Sequence, residues 1–231
     1  MITTITGNIF TTRCQTLVNT VNCVGVMGAG IALECRLRYP QMFEQYVRLC
    51  EGGQLDVGKL WLYKSPDRWV LNFPTKKHWK WPSKEEYLRC GLEKFVQTYQ
   101  SRGIESVAFP LLGAHNGGLT ESQSMNVMLE FLQHCDIPVE IYRYDRLATD
   151  DLYSEFKSIV LSSSVEQFQS QTGLRRQYVD RIREAVLSRD ICQLNQLASQ
   201  PGIGDKTLEA AFALMRAGAA QKVESQQSLE L

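Results

Sequence analysis

The fold is decided by the stretch NTVNCVGVMGAGIA at residues 19–32, which places three glycines between a β-branched run and a segment with helical spacing. Gly25, Gly28 and Gly30 therefore fall at a strand-to-helix junction. There, main-chain amides and the positive end of the helix dipole can face an anion, and glycine allows positive φ angles and close approach of the ligand. The stretch favours a loop that holds a phosphorylated ligand, and a tight turn without a ligand is the alternative.

The composition limits the classes of protein to consider. A chain of 231 residues allows one medium-sized domain and a small appendix. Because 25 Lys and Arg balance 25 Asp and Glu, any contact with nucleic acid must be a local patch. The seven cysteines have no CxxC spacing, which argues against a disulfide framework and a metal site. We expect a soluble, unprocessed, cytoplasmic protein that needs no metal or cofactor and contacts no membrane.

Short apolar runs alternate with segments of helical spacing, and this order predicts an α/β fold with three layers, α/β/α, around a mixed central sheet. Ligands of such sheets bind at the carboxyl ends of central strands, where the glycine stretch also lies. The predicted strands are 16–21, 59–63, 69–73, 106–109 and 139–144, and the predicted helices are 30–39, 40–51, 84–102 and 120–135.

The last third of the chain differs in composition from the rest. A passage rich in Ser and Gln at 161–172 indicates a linker between a first domain at 1–160 and a small all-α module at 173–218. We expect residues 219–231 to form a flexible tail.

Four separated segments resemble a macrodomain in their order and spacing. Within that family, the chain is most similar to the branch that contains the DNA ADP-ribosyl glycohydrolase DarG, which has the NxVGVMGxGIA loop and the NFPTK strand end. The resemblance covers about residues 1–160 and implies an ADP-ribose site. The segments are GNIF at 7–10, NTVNCVGVMGAGIA at 19–32, NFPTKKHW at 72–79 and PLLGAHNGGL at 110–119.

Lys76 and Lys77 follow an apolar strand and a proline, where a lysine can be half-buried. Burial lowers the pKa of a lysine and makes its neutral amine available to attack a sugar anomeric carbon. Composition alone leaves two ordinary surface cations as the alternative. The resemblance implies that Lys76 is the lysine that releases ADP-ribose in the DarG-like branch, and we prefer it to Lys77.

The resemblance also implies ligand contacts. Asn22 would orient the distal ribose, although a turn-forming asparagine is the alternative. Asn8 stands where many macrodomains read adenine with an aspartate, and Met27 would cover the ligand unless it fills the core. The implied ligand contacts are Asn8, Ile9, Asn22, Gly25, Val26, Met27, Gly28, Gly30, Ile31, Thr75, Gly113, Ala114, Asn116, Gly117, Gly118 and Leu119.

A second glycine loop, GAHNGGL, occupies residues 113–119. The resemblance implies that the amides of Gly113 to Gly118 bind the diphosphate. Ala114 and His115 depart from the Cys and Gly that are common there, and Gly117 replaces an Asp that some relatives use as a general acid. Imidazole chemistry suits proton donation near neutral pH, so His115 is a candidate general acid, with simple contact to phosphate as the alternative.

Two further segments suggest contact with DNA. The cluster His78, Trp79, Lys80 and Trp81 suits stacking on a base and pairing with a phosphate of single-stranded DNA, or else forms a hydrophobic lid. The segment PGIGDKTL at 201–208 resembles the hairpin of a helix-hairpin-helix motif, whose amides contact a DNA phosphate or which docks a protein partner. Its candidate residues are Gly202, Gly204 and Lys206, supported by Arg175, Arg176, Arg181 and Arg183.

The sequence and the resemblance together predict a hydrolase that removes ADP-ribose from a nucleobase in DNA through Lys76. Such an activity would serve as an antitoxin against an ADP-ribosyltransferase. The alternatives are a module that binds ADP-ribose without turnover and a hydrolase that acts on ADP-ribosylated protein.

Overall fold

The computed structural model of the chain describes residues 1–227, with side chains through residue 218. The chain divides into two compact units, and the first spans Met1–Asp145. The boundary predicted near residue 160 is therefore corrected to Asp145, because the last strand of the sheet ends at Tyr144 and the chain then continues as helices.

The first unit is described in full and contains one six-stranded sheet in the order β1-β6-β5-β2-β4-β3. Neighbouring strands are parallel except for the antiparallel pair of β3 and β4. The elements are β1 (Ile2–Gly7), β2 (Thr16–Asn22), α1 (Gly30–Arg38), α2 (Pro40–Glu51), β3 (Trp61–Lys64), β4 (Trp69–Lys76), α3 (Glu85–Thr98), β5 (Val107–Pro110), α4 (Glu121–Leu132) and β6 (Val139–Tyr144).

Helices cover both faces of the sheet, because alternate side chains of the central strands enter two separate cores. On β2, Leu17 and Val21 pack with Cys35 of α1 and Tyr46 of α2. Val18, between them in sequence, packs into the other core, which α3 and α4 cover. The predicted three-layer α/β/α architecture with a mixed sheet is confirmed.

Strand β1 was not predicted from the sequence. It pairs with β6 at the edge of the sheet. Its threonines Thr3 and Thr4 are exposed, so the strand lacks the apolar run on which the other strands were recognised. A 3₁₀ turn, Ile9–Thr11, follows it.

A pair of buried amides joins the two central strands. Asn19 of β2 and Asn72 of β4 are register partners. Both are fully buried, and Asn19 Nδ2 donates to Asn72 Oδ1 at 2.9 Å. Asn19 Oδ1 and Asn72 Nδ2 have no hydrogen-bond partner within the described part of the chain.

The second unit is helical. The predicted linker at 161–172 is corrected, because a capping box of Ser164 and Gln167 begins a helix there and Phe168 is buried. Residues 219–227 of the predicted flexible tail continue the last helix, and 228–231 lie outside the described residues. No helix in the described residues is long and apolar enough to cross a membrane. The elements are α5 (Tyr153–Ser162), α6 (Val165–Thr172), α7 (Arg176–Leu187), a 3₁₀ segment (Leu194–Ser199) and α8 (Asp205–Gln227).

Gly91 allows α3 to approach β4 closely, which yields a prediction about stability. A Cβ at this position would lie 2.2 Å from Cζ of Phe73. We expect Gly91→Ala to lower the free energy of unfolding by about 1–3 kcal/mol, since the helix or the ring must shift. Urea denaturation followed by circular dichroism measures the change.

Gly7→Ala is the matched control, because a Cβ there meets only Ile5 Cγ2, at 4.0 Å. Adding Phe73→Leu to Gly91→Ala should recover part of the loss by making room for the new methyl group. Equal stability of Gly91→Ala and the unmodified protein would contradict this account of the packing.

Candidate functional site at the carboxyl edge of the sheet

The candidate site lies where the parallel strands β2, β4 and β5 end. Asn22 at the end of β2 is the register partner of Lys76 at the end of β4, after a register shift between Val21 and Asn22. The first glycine loop, residues 23–29, follows β2, and the second, residues 113–119, comes shortly after β5. Because parallel strands present their carboxyl ends at one edge, the topology brings both loops and Lys76 to the same edge.

Asn22 organises the first glycine loop from inside. Its Oδ1 accepts hydrogen bonds from the amides of Val24 at 3.0 Å and Val26 at 3.3 Å, and its Nδ2 donates to the Val26 carbonyl at 2.5 Å. The hydroxyl of Tyr46 donates to Asn22 O at 2.8 Å and Oδ1 at 3.0 Å. The side chain thus makes the turn-forming contacts weighed as the alternative, and its ribose role stays a prediction.

Tyr46 is a positioning residue that sequence reasoning missed. It is fully buried on α2, and burial raises the pKa of its hydroxyl, which keeps it a neutral donor. In the sequence it shares the buried face of α2 with Met42, so no local pattern distinguishes it from an ordinary core residue.

The start of α1 leaves main-chain amides open to a ligand. Its N-cap is Ala29, which has no side-chain oxygen to accept from the first amides. Gly30 has a φ of +56°, and a Cβ there would lie 2.9 Å from Asn116 Nδ2. The Asn116 side chain of the second glycine loop therefore lies against Gly30 at the start of α1, and a side chain at position 30 would require the Asn116 amide to shift.

The second glycine loop uses several of its amides internally. The amides of Gly117 and Gly118 donate to the carbonyls of Ala114 and His115, at 2.9 and 3.2 Å. The Ala114 amide donates to Leu111 O at 3.4 Å. This corrects the expectation that all amides from Gly113 to Gly118 face a diphosphate. Those of Gly113, His115 and Asn116 take no part in these bonds.

Lys76 sits at the meeting point of β4 and the second loop. Its Nζ donates to the carbonyl of Asn116, and the Trp79 carbonyl lies 3.5 Å from it. Burial lowers the pKa of the Lys76 ammonium, because desolvation disfavours the charged form. The structure therefore places at this edge a half-buried lysine with an increased tendency to be neutral.

His115 lies beside this contact with a positive φ of 49°. Its side chain is exposed, its Nε2 lies 4.0 Å from Glu121 Oε1, and its ring is edge-on to Tyr144 at a centroid distance of 6.4 Å. Tyr144 ends β6 and was not among the sequence candidates. The role of His115 as a general acid stays a prediction.

Several predicted ligand residues are buried. Met27 is packed in the core with its Sδ 3.9 Å from Asn19 Nδ2, which is the core-filling position weighed as the alternative, and its ligand contact stays a prediction. Asn8 is buried and its Oδ1 accepts from the Phe10 amide at 2.9 Å, which caps the turn after β1. Its adenine role stays a prediction. The buried residues also include Ile9, Thr75 and Ala114. The half-buried residues are Gly25, Ile31 and Leu119, and the exposed ones include Val26 and Gly28.

The predicted aromatic cluster is an exposed surface next to Lys76. The ring of His78 stacks on Trp79 at 5.7 Å and lies 5.1 Å from the ring of Trp81. The ammonium of Lys80 lies 5.0 Å from the ring centre of Trp79. Sequence reasoning missed Ser83, whose amide donates to the Gly117 carbonyl at 2.8 Å and so fastens this segment to the second glycine loop.

In the second unit, the predicted hairpin connects the 3₁₀ segment to α8. Gly202 has a φ of +78°, and a Cβ there would lie 3.3 Å from Arg181 Nε. Gly204 and Lys206 are exposed. Of the arginines expected to support DNA contact, Arg176 lies 3.9 Å from Asp180, and Arg183 donates to the Ser163 carbonyl; their supporting role stays a prediction.

Comparison with known proteins identifies the family of this fold. The family model "Macro domain" matches residues 18–128. The chain is 42% identical over 147 residues to the DNA ADP-ribosyl glycohydrolase of Mycobacterium tuberculosis, covering 62% of this chain and 42% of that protein. It is 36% identical over 155 residues to a DNA ADP-ribosyl transferase-DNA ADP-ribosyl glycohydrolase fusion protein of Thermosipho africanus, covering 59% of this chain and 40% of the fusion. The chain thus spans about two fifths of the length of these relatives.

Solved structures agree with this result. The macrodomain of Mycobacterium tuberculosis DarG superposes with a TM-score of 0.59 at 41% identity, covering 62% of this chain and 97% of that one. Thermosipho africanus DarTG in complex with ADP-ribose superposes with a TM-score of 0.58 at 35% identity, covering 62% of this chain and 42% of that one. With nearly all of a DarG macrodomain matched at this identity, the chain belongs to the macrodomain family and, within it, to the DarG-like branch.

Proposed function

We propose that the first unit removes ADP-ribose from ADP-ribosylated nucleobases in DNA, with Lys76 as the nucleophile. The observation that carries the proposal is the position of Lys76. Its half-buried ammonium, with a lowered pKa, ends a central strand beside two glycine loops. Relatives in the same branch are named for the activity on DNA, which supports DNA as the carrier of the ADP-ribose.

The two loops supply the binding surface in this proposal. The phosphates of ADP-ribose would accept hydrogen bonds from the open amides at the start of α1 and from those of Gly113, His115 and Asn116. The contact between Gly30 and Asn116 keeps the loops adjacent. A solved relative of the same branch contains bound ADP-ribose, which supports this assignment.

In the proposed reaction, the neutral amine of Lys76 attacks the anomeric carbon of the distal ribose. The N-glycosidic bond breaks, and the base leaves with the bonding electron pair and takes up a proton, for which His115 is the candidate donor. Nζ loses a proton as its bond to carbon forms. Water then cleaves the adduct, which releases ADP-ribose and restores the amine.

The biological role follows from the substrate. An enzyme that clears ADP-ribose from DNA reverses the action of a DNA ADP-ribosyltransferase, and one relative carries both activities in its name. We therefore propose that this protein acts as an antitoxin whose partner is such a transferase. Two alternatives remain, namely a module that binds ADP-ribose without turnover and a hydrolase that acts on protein.

For the second unit, we propose contact with a DNA backbone through the turn at Gly202 and Gly204. The positive φ of Gly202, the neighbouring guanidinium of Arg181 and the exposed ammonium of Lys206 support this assignment. Contacts of this kind bind phosphate without reading sequence.

Replacing Lys76 tests the enzyme proposal. We expect Lys76→Ala to slow ADP-ribose release from an ADP-ribosylated single-stranded oligonucleotide by at least about a hundredfold, because the nucleophile is lost. Binding of free ADP-ribose, measured by calorimetry, should persist. Release is followed by chromatography, with an ADP-ribosylated protein as a parallel substrate.

Lys94→Ala, at an exposed lysine of α3, is the matched control and should react as the unmodified protein does. Binding without release from either substrate would favour the module without turnover. Release from protein alone would favour the alternative hydrolase.

The pH dependence of the reaction provides an independent test. In a His115→Ala variant, which lacks the candidate general acid, only the ionisation of Lys76 should shape the profile, so kcat/KM should rise with pH and level off above the pKa of Lys76, which burial places below the ordinary lysine value. The profile is measured between about pH 6 and 10 on the oligonucleotide substrate. A profile that stays flat or falls across the alkaline range would argue against a lysine nucleophile.

Replacing Lys206 tests the second unit. We expect Lys206→Ala to weaken binding of unmodified DNA and to reduce the slope of log affinity against log salt concentration by about one unit. Fluorescence anisotropy at several salt concentrations measures both. Arg189→Ala, at an exposed position outside the turn, is the control of equal charge change. Identical slopes for the two variants would contradict DNA contact at this turn.

A further inference from the structure

A pocket of about 350 Å³ opens beside the aromatic cluster, and neither the ADP-ribose loops nor the reaction at Lys76 uses it. Its walls come from the segment between β4 and α3 and from the first turn of α3. It is lined by Lys77, Trp81, Pro82, Lys84 and Tyr87.

The aromatic surface around this pocket is unusually open to solvent. Trp81 is 60% exposed and Trp79 is 48% exposed. Large adjoining aromatic side chains left in water mark binding surfaces, since burying them elsewhere in the fold would have been favourable. The ring of His78 packs against both indoles, so the three rings form one aromatic surface.

The charge around the pocket is positive. Lys77 and Lys84 line it, and the ammonium of Lys80 lies over the neighbouring ring of Trp79. Within the described residues, no ion pair joins these three lysines to a carboxylate. Glu85, at the start of α3, instead accepts a hydrogen bond from Gln123 at 3.2 Å. The pocket therefore combines an open indole with lysines that form no ion pair with the described part of the chain.

The segment that lines the pocket is also attached to the proposed reaction site. Lys77 directly follows the proposed nucleophile. The Trp79 carbonyl lies 3.5 Å from Lys76 Nζ, and the Ser83 amide donates to the Gly117 carbonyl of the second glycine loop. A leaving group released at Lys76 and still attached to a polynucleotide would therefore have this surface beside it.

We propose that this pocket is a subsite for a nucleotide flanking the ADP-ribosylated base in single-stranded DNA. A neighbouring base stacks on the indole of Trp81, and the phosphate that connects it to the modified nucleotide lies between Lys77 and Lys84. Stacking requires an unpaired base, which selects single-stranded over duplex DNA. The inference rests on the proposed function, since it assumes that the leaving group belongs to a DNA strand.

Binding of an unmodified, fluorescein-labelled single-stranded oligonucleotide tests the subsite without any reaction. We expect Trp81→Ala to weaken binding roughly tenfold and Trp81→Phe to retain most of the affinity, because phenylalanine still stacks. The double variant Lys77→Ala, Lys84→Ala should reduce the salt slope by about 0.7 for each lysine. Lys94→Ala should change neither quantity. Unchanged binding in Trp81→Ala and in the double variant would overturn the subsite.

Kinetics then separate the subsite from the proposed function. For an ADP-ribosylated oligonucleotide, Trp81→Ala should raise KM roughly tenfold, whereas the ADP-ribosylated nucleoside, which has no flanking nucleotide, should react unchanged. Equal loss on both substrates would overturn the subsite, as would a loss confined to ADP-ribosylated protein. If the unmodified protein releases ADP-ribose from no substrate, the proposed function fails, and the binding experiment alone decides on the pocket.

Discussion

The hydroxyl of Tyr46 holds the end of the central strand, and the candidate site depends on that contact. It donates to both oxygens of Asn22, and Asn22 in turn binds the amides of Val24 and Val26. A buried hydroxyl that lost these acceptors would be left unsatisfied, at a cost of about 1–3 kcal/mol. The path of the first glycine loop is thereby coupled to the packing of α2 on the sheet, some distance along the chain from the loop itself.

The site combines rigid and open parts. Several amides of the second glycine loop donate hydrogen bonds to carbonyls of the same loop. The carbonyl of Asn116, in that loop, accepts a hydrogen bond from the ammonium of Lys76. The aromatic segment after β4 is fastened to the same loop through Ser83. One short stretch of backbone therefore orders both the lysine and the surface beside it, so these parts are preorganised with respect to each other.

Much of the fold could be predicted from sequence because apolar runs and glycines record backbone requirements directly. The alternation of Leu17 and Val18 between two cores, and the glycines at the junction after β2, are of this kind. Strand β1 was not predicted, because it lies at the edge of the sheet and Thr3 and Thr4 face solvent. The linker prediction failed because polar composition was read without the capping box at Ser164, which starts a helix.

The site was predictable in outline and less so in its contacts. The position of Lys76 follows from the strand end that precedes it. Whether an amide such as Asn22 faces a ligand or its own loop depends on partners distant in sequence, here Tyr46, and no local pattern reports them. The burial of Met27 is equally a property of the assembled core. The pocket at Trp81 arises only when α3 packs beside the end of β4.

The buried amide pair of Asn19 and Asn72 fixes the register of β2 against β4, and with it the alignment of the candidate site. Asn72 lies between Leu71 and Phe73 in β4, so sliding β2 by one residue against β4 would place the Asn19 amide opposite hydrocarbon and turn every side chain of β2 to the opposite layer. Such a slip would also move Asn22 past Lys76 by about 3.3 Å, the rise of one residue in a parallel strand. Two amides in the middle of the sheet thus set the distance between the glycine loop and the lysine at its edge.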